Sequence, residues 1–151
     1  LAAAREALTQ LLSEDSRTIY VLGESLGSGP GCALASAEPA KIAGLFLITP
    51  YASLPEVAAH HLPWVPVRWF LRDKYENLAA LKNYHGRLAV LVAGADEVVT
   101  PAQGQKVYAT YQGPKFLWLE ETALHNGLDH SSTVQWRHEV SDFLLHTRTP
   151  P

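Results

Sequence analysis

Apolar positions fall along the chain in two patterns, at helical spacing and in short continuous runs. Leu1, Ala4, Leu8, Leu11 and Leu12 fall at helical spacing and predict an amphipathic helix of about three turns. The polar cluster Ser13–Glu14–Asp15–Ser16 ends it. Thr18 to Leu22 is a short β-branched and apolar run, read as a strand stopped by Gly23. Leu26 to Ala37 is rich in small residues and predicts a helix. Ile42 to Ile48 is a second strand, closed by Thr49–Pro50, with a third at Leu88 to Ala93 and a fourth at Lys115 to Leu119. Trp136, Val140, Phe143 and Leu144 mark a last helix before a Pro-rich tail.

None of these strands alternates cleanly between apolar and polar, the pattern of strands buried on both faces of a parallel sheet. Strands separated by helical segments then predict an α/β architecture, a parallel sheet flanked by helices. One stretch breaks the rhythm. Tyr51 to Gly86 is long and aromatic-rich, carries Pro55, Pro63 and Pro66, and reads as an excursion of short helices over the sheet. The organisation is therefore one domain over 1–151, with 51–86 as a short cap-like insertion within it.

Composition narrows the function classes. With 151 residues, 47% hydrophobic, 18% charged and a net charge of −3, the chain suits one globular domain and contradicts disorder. Its longest apolar runs, such as Ile42 to Ile48, are too short to span a bilayer. No basic block offers a footprint for nucleic acid. The single cysteine, Cys32, excludes an internal disulfide framework and a Cys-rich zinc site. Cys32 and the lack of a signal-peptide pattern make a cytoplasmic location the default expectation. The chain begins at Leu1 and contains no Met, so a truncated or processed chain is expected.

The candidate chemistry lies in Gly23–Glu24–Ser25–Leu26–Gly27, a G-x-S-x-G pattern between a strand and a helix. A sharp strand-to-helix turn exposes the serine hydroxyl in a strained backbone, and glycine at 23 and 27 leaves room for it. The Leu26 N–H, first in the helix, then faces a developing oxyanion, helped by the positive end of the helix. A plain Gly/Ser loop or a phosphate-binding turn would share the pattern, but the strand before and the helix after favour the elbow. Glu24 reads as a structural hydrogen-bonding residue.

A serine hydroxyl is a poor nucleophile unless a histidine, oriented by a carboxylate, takes its proton. Asp96 follows the third strand through Gly94–Ala95, and His125 lies just beyond the fourth. Functional groups collect at that end of an open α/β sheet. Glu97 is the alternative acid, whereas Asp129 reads as a cap or surface carboxylate. His125, Asp129 and His130 imitate a metal cluster but lack further ligands at credible spacing, so no metal is expected. His60, His61, His85, His138 and His146 read as surface or satisfied histidines.

Three motifs, GESLGSG at 23–29, VAGADEVVTP at 92–101 and ALHNGL at 123–128, are specific enough to carry a resemblance. The chain resembles the C-terminal portion of an α/β-hydrolase, in the group similar to serine aminopeptidases and monoacylglycerol lipases. The resemblance implies Ser25 as nucleophile, Asp96 as orienting acid, His125 as general base and Leu26 N–H as one oxyanion donor. It further implies hydrolysis of a small-molecule carboxylic ester through an acyl-enzyme, without metal or organic cofactor. In relatives the region of 51–86 carries caps over the acyl pocket, so Trp64, Trp69, Phe70 and Tyr75 are candidate pocket aromatics, beside ordinary packing. The insertion is short for a full lid, which implies an open site.

Two departures stand out. The strands that precede the elbow strand in that fold, and the second oxyanion N–H from the loop after its third strand, have no counterpart here. Strand 18–23 is therefore expected to be a bare apolar edge, covered by another chain, another copy or an N-terminal segment. The rival reading follows, a truncated or split hydrolase inactive alone; a non-enzymatic binding module is weaker still. Pro30, in the first turns of the elbow helix, is expected to remove a helical N–H and bend that helix slightly.

Overall fold

The apolar runs become a parallel sheet in the computed structural model, which describes residues 2–14, 18–62, 64 and 74–145. The strands are β1 (Ile19–Glu24), β2 (Ile42–Ile48), β3 (Arg87–Ala93) and β4 (Lys115–Glu120). They lie in the order β1-β2-β3-β4, every neighbouring pair parallel. Helices α1 (Ala2–Glu14), α2 (Ser28–Ala37), α3 (Leu54–His61), α4 (Asn77–Ala80), α5 (Pro101–Thr110) and α6 (Gln135–Leu145) flank it. Leu1, Asp15, Ser16, Pro63, Pro66, Trp69, Phe70, His146 and the Pro-rich tail lie outside the described residues.

Alternation along β2 and β3 explains why their sequences look uniformly apolar. Leu45, Leu47, Leu88, Val90 and Val92 face Leu8, Cys32, Leu34 and Val107 on one side of the sheet. Phe46, Ile48, Ala89, Leu91 and Ala93 face Trp136, Val140 and Phe143 of α6 on the other. Both faces are buried, so both sets of side chains are apolar. β1 departs from this. It pairs only with β2 among the described residues, and Tyr20 and Leu22 are exposed, Leu22 by 62%.

The structure departs from the pattern at the end of β1, at the start of α2 and in the helix before β4. Gly23 does not stop β1, because its extended backbone stays in register with Leu47 and the strand continues to Glu24. A 3₁₀ turn, Ser25–Gly27, intervenes before α2, which starts at Ser28 rather than Leu26. Helix α5 has few apolar positions and buries only Gly104 and Val107, so its periodicity gave no clear signal.

The excursion after β2 leaves and returns at one place. Ser53 and Glu76 form an antiparallel bridge, and the Leu54 N–H donates to the Tyr75 carbonyl at 3.0 Å. Pro55 sits in the first turn of α3, where no intrahelical donor is lost. No helix among the described residues is long and apolar enough to cross a membrane.

Candidate active site

Each candidate site side chain follows the C-terminal end of a different strand. Ser25 follows β1 with φ at 48°, a left-handed backbone that costs a non-glycine residue about 1–3 kcal/mol. The turn folds back over Gly23, where a Cβ would stand 2.7 Å from the Gly27 carbonyl oxygen and 3.0 Å from Ser28 Cα. Gly23 is thus required by close approach. Gly27 is not: its φ of −63° suits any residue, and nothing stands within 4 Å of a Cβ there.

Ser25 Oγ lies 2.9 Å from His125 Nε2, and His125 Nδ1 lies 2.7 Å from Asp96 Oδ2. The carboxylate can only accept, which assigns the ring proton to Nδ1 and leaves the Nε2 lone pair for the serine hydroxyl. Asp96 is held on its other oxygen, where Oδ1 accepts from the Val98 and Val99 amides, both at 2.8 Å. Its side chain is 1% exposed and that of His125 14%. A buried carboxylate so fully hydrogen-bonded has one orientation available.

The loops that carry Asp96 and His125 are tied together by backbone. Gly94 N–H donates to Glu120 at 2.8 Å, and Ala95 N–H donates to Ala123 at 2.9 Å. Glu97 is exposed and outside the chain of hydrogen bonds. Asp129 is also exposed; it accepts from the Ser131 amide at 2.8 Å and the Ser131 hydroxyl at 3.1 Å, which hold its carboxyl below the usual range. It caps a turn, as its position after His125 suggested.

One expectation needs correction. Glu24 is exposed and its side chain caps nothing, because the turn is closed by backbone alone. Pro30 lies in the first turn of α2, so the amide it lacks is one that would reach back to the turn before α2 rather than bond within α2. Leu26 sits in the 3₁₀ turn immediately after Ser25, with its side chain 62% exposed.

Among the described residues, no group of three or more His, Cys, Asp or Glu side chains is placed to hold a metal ion. His60, His61, His85 and His138 are exposed, and His130 lies edge-on to Trp136. His61 Nε2 contacts the Val98 carbonyl at 2.7 Å, so the excursion touches the Asp96 loop, a contact no local pattern announces. An open groove of about 340 Å³ beside His125 is lined by Glu97, Val98, Leu124, Asn126 and Gly127. Of the candidate aromatics, Trp64 is exposed, and Tyr75 is half-buried.

No family model matches the chain. An uncharacterised protein of Mycobacterium tuberculosis, found in strains CDC 1551 and H37Rv, is 34% identical over 113 residues. The match covers 75% of this chain and 40% of that protein. Solved structures are similar at the level of fold. An acetyl xylan esterase from Paenibacillus sp. R4 superposes with a TM-score of 0.69 at 18% identity, over 89% of this chain and 48% of its own. An esterase from Pyrococcus furiosus gives 0.69 at 19%, over 95% and 59%. Acetyl xylan esterase 1 from Thermoanaerobacterium sp. JW/SL YS485 gives 0.64 at 18%, over 87% and 46%. The chain thus spans about half the length of these structures and 40% of the curated relatives it matches.

Proposed function

We propose that this chain, which carries the C-terminal portion of the α/β-hydrolase fold, is a serine hydrolase that cleaves carboxylic esters through an acyl-enzyme. The observation that carries the reading is the unbroken run Ser25 Oγ, His125, Asp96, with contacts of 2.9 and 2.7 Å, at a serine strained to a φ of 48°.

His125 Nε2 takes the Ser25 proton as Oγ attacks the ester carbonyl, and the carbonyl electrons move onto oxygen. The Leu26 N–H, at the positive end of the helical path that begins with the turn, stabilises that oxyanion. The intermediate collapses and the alkoxide leaves with the proton from imidazolium, giving the alcohol and an acyl-Ser25. Water repeats the sequence, His125 again as base, and frees the acid. Asp96 keeps the imidazole in its Nδ1–H tautomer and stabilises the imidazolium in both halves. The exposed Leu26, Val98 and Leu124 side chains offer apolar contact to a small neutral ester. No step requires a cofactor.

A fluorophosphonate tests this directly. A single adduct on Ser25, by intact mass and peptide mapping, is expected, and Ser25→Ala must abolish it. Retained ester hydrolysis in Ser25→Ala would overturn the assignment.

A second reading is favoured by the outer edge of β1, which pairs with no further strand among the described residues. Beside it runs an apolar groove of about 370 Å³ between β1, β2 and α6, lined by Tyr20, Leu22, Phe46, Ile48, Trp136 and Val140. An unpaired strand continuous with an apolar groove is a template for a further strand and helix. On this reading the chain needs a second copy or a further polypeptide segment for full activity. Size-exclusion with light scattering discriminates: a well-behaved monomer of 16.6 kDa that hydrolyses esters counts against it.

A further inference from the structure

The 3₁₀ turn Ser25–Gly27 and helix α2 form one helical path. Gly27 has φ −63° and ψ −17°, and Ser28 has φ −62° and ψ −32°. On such a path the amide at position 30 would donate to the carbonyl of Leu26, four residues back. Position 30 is proline and has no amide hydrogen. The Leu26 carbonyl accepts instead from the Ser28 N–H within the turn and, from outside it, from the Tyr51 hydroxyl at 3.3 Å.

Tyr51 is fixed independently of that bond. It is 1% exposed, and the chain reaches it through Thr49, whose φ of 45° turns the backbone sharply after β2. Asn77, also 1% exposed, donates through Nδ2 to the Tyr51 carbonyl at 2.8 Å and to Ser28 Oγ at 3.1 Å. One amide group thus ties Tyr51 to the first residue of α2. Burial pushes the Tyr51 phenol up to about 12, so it stays a protonated donor across the range in which ester hydrolysis is measured. The Ser28 side chain and the Gly29 backbone also reach the phenol, which therefore bridges the start of the helical path.

We propose that Tyr51 is a positioning residue for the nucleophile turn: held by Asn77, its hydroxyl supplies the hydrogen bond that Pro30 cannot, and fixes the peptides that present Ser25 Oγ and the Leu26 N–H. Its kinetic consequence rests on the hydrolase reading above. Tyr51 does not touch the reacting atoms. It acts through the Leu26 carbonyl on a turn already strained at Ser25, where a small displacement separates the nucleophile from its base and its oxyanion donor.

The test compares wild type, Tyr51→Phe and Tyr51→Phe/Pro30→Ala, the last restoring an amide that can donate to Leu26. Two readouts are followed in each: the rate of Ser25 labelling by a fluorophosphonate, and amide hydrogen exchange resolved to peptides covering 24–30. In Tyr51→Phe, labelling is expected to slow by ~10- to 10²-fold, with exchange faster in 24–30 and unchanged in β2 and β3. The double variant is expected to recover most of both. Labelling at the wild-type rate in Tyr51→Phe overturns the proposal, and so does an exchange increase spread over the whole sheet. If wild type itself is not labelled, the hydrolase reading fails, and exchange alone then decides the positioning role. A local increase reversed by Pro30→Ala sustains it, and no local change overturns it.

Discussion

Gly94, in the loop after β3, lies against Glu121, in the loop after β4: a Cβ on Gly94 would stand 2.7 Å from Glu121 Cα and closer still to its carbonyl oxygen. Backbone cannot yield as a flexible side chain does, so only glycine lets the two loops meet. Those loops carry Asp96 and His125, whose 2.7 Å contact depends on that approach. Gly94→Ala is therefore expected to part the pair. A displacement of about 1 Å at such a site costs on the order of 10²-fold in rate, and the overpacking destabilises the fold by about 1–3 kcal/mol. Ester hydrolysis and a urea midpoint measured together check both, and wild-type values for the two would remove Gly94 from the site's architecture.

On the proposed mechanism Asp96 has a role that an amide cannot fill. Its Oδ2 receives the His125 Nδ1–H, while Oδ1 receives two backbone amides. In Asp96→Asn the side-chain oxygen suits the amides, which turns the NH₂ toward His125 and forces the proton onto Nε2. Nε2 can then no longer accept from Ser25. A fall in kcat of ~10⁴-fold is expected with the fold intact. Asp129→Asn, at an exposed turn, is expected to leave the rate near wild type. If the two variants behaved alike, the acid would have to lie elsewhere.

Much of this arrangement was legible in sequence because strands β2 and β3 are buried on both faces and leave unbroken apolar runs. Asp96, with Glu97 as its alternative, and His125 were singled out by their places after β3 and β4 and by the motifs around them, and Ser25 by its G-x-S-x-G pattern between strand and helix. What stayed hidden has a physical reason in each case. Helix α5 docks through Val107 and a close-packed Gly104, so it lacks an apolar stripe. Tyr51 and Asn77 reach the nucleophile turn through tertiary contacts 25 and 49 residues apart, which no local period encodes. Gly27 looked indispensable because it stands in the motif, yet its backbone is ordinary helix.

Alkaline stability should follow the buried phenols. Burial raises Tyr51 from 10.0 to about 12 and Tyr111 likewise to about 12, and pushes Tyr84 up as well, next to the Tyr111 ring. Below pH 10 each is protonated in both folded and unfolded chains and costs nothing. Between 10 and about 12 the unfolded chain releases protons that the folded chain retains, so stability must fall as pH rises through that window. The urea midpoint is expected to hold steady up to about pH 10 and then drop steeply, together with phenolate absorbance appearing on unfolding. Phenolate that titrates at its ordinary value in the folded protein would contradict the burial of these rings.

The outer edge of β1 is expected to govern the solution behaviour of the isolated chain. Leu22 is 62% exposed and lines the groove with Ile48 and Trp136, three residues before the nucleophile. Apolar contact here would be shielded from water only by something laid along the edge, and a charge at this position opposes that. Self-association of the wild type through β1 predicts a mass above 16.6 kDa by light scattering, shifted toward 16.6 kDa in Leu22→Lys. Because Leu22 faces the groove rather than Ser25, fluorophosphonate labelling then separates two cases. Labelling lost with the larger species means that the covering copy completes the active site. Labelling retained by a monomeric Leu22→Lys means that this chain alone assembles Ser25, His125 and Asp96, and the edge serves association only. A wild type already monodisperse at 16.6 kDa would remove self-association through β1 altogether.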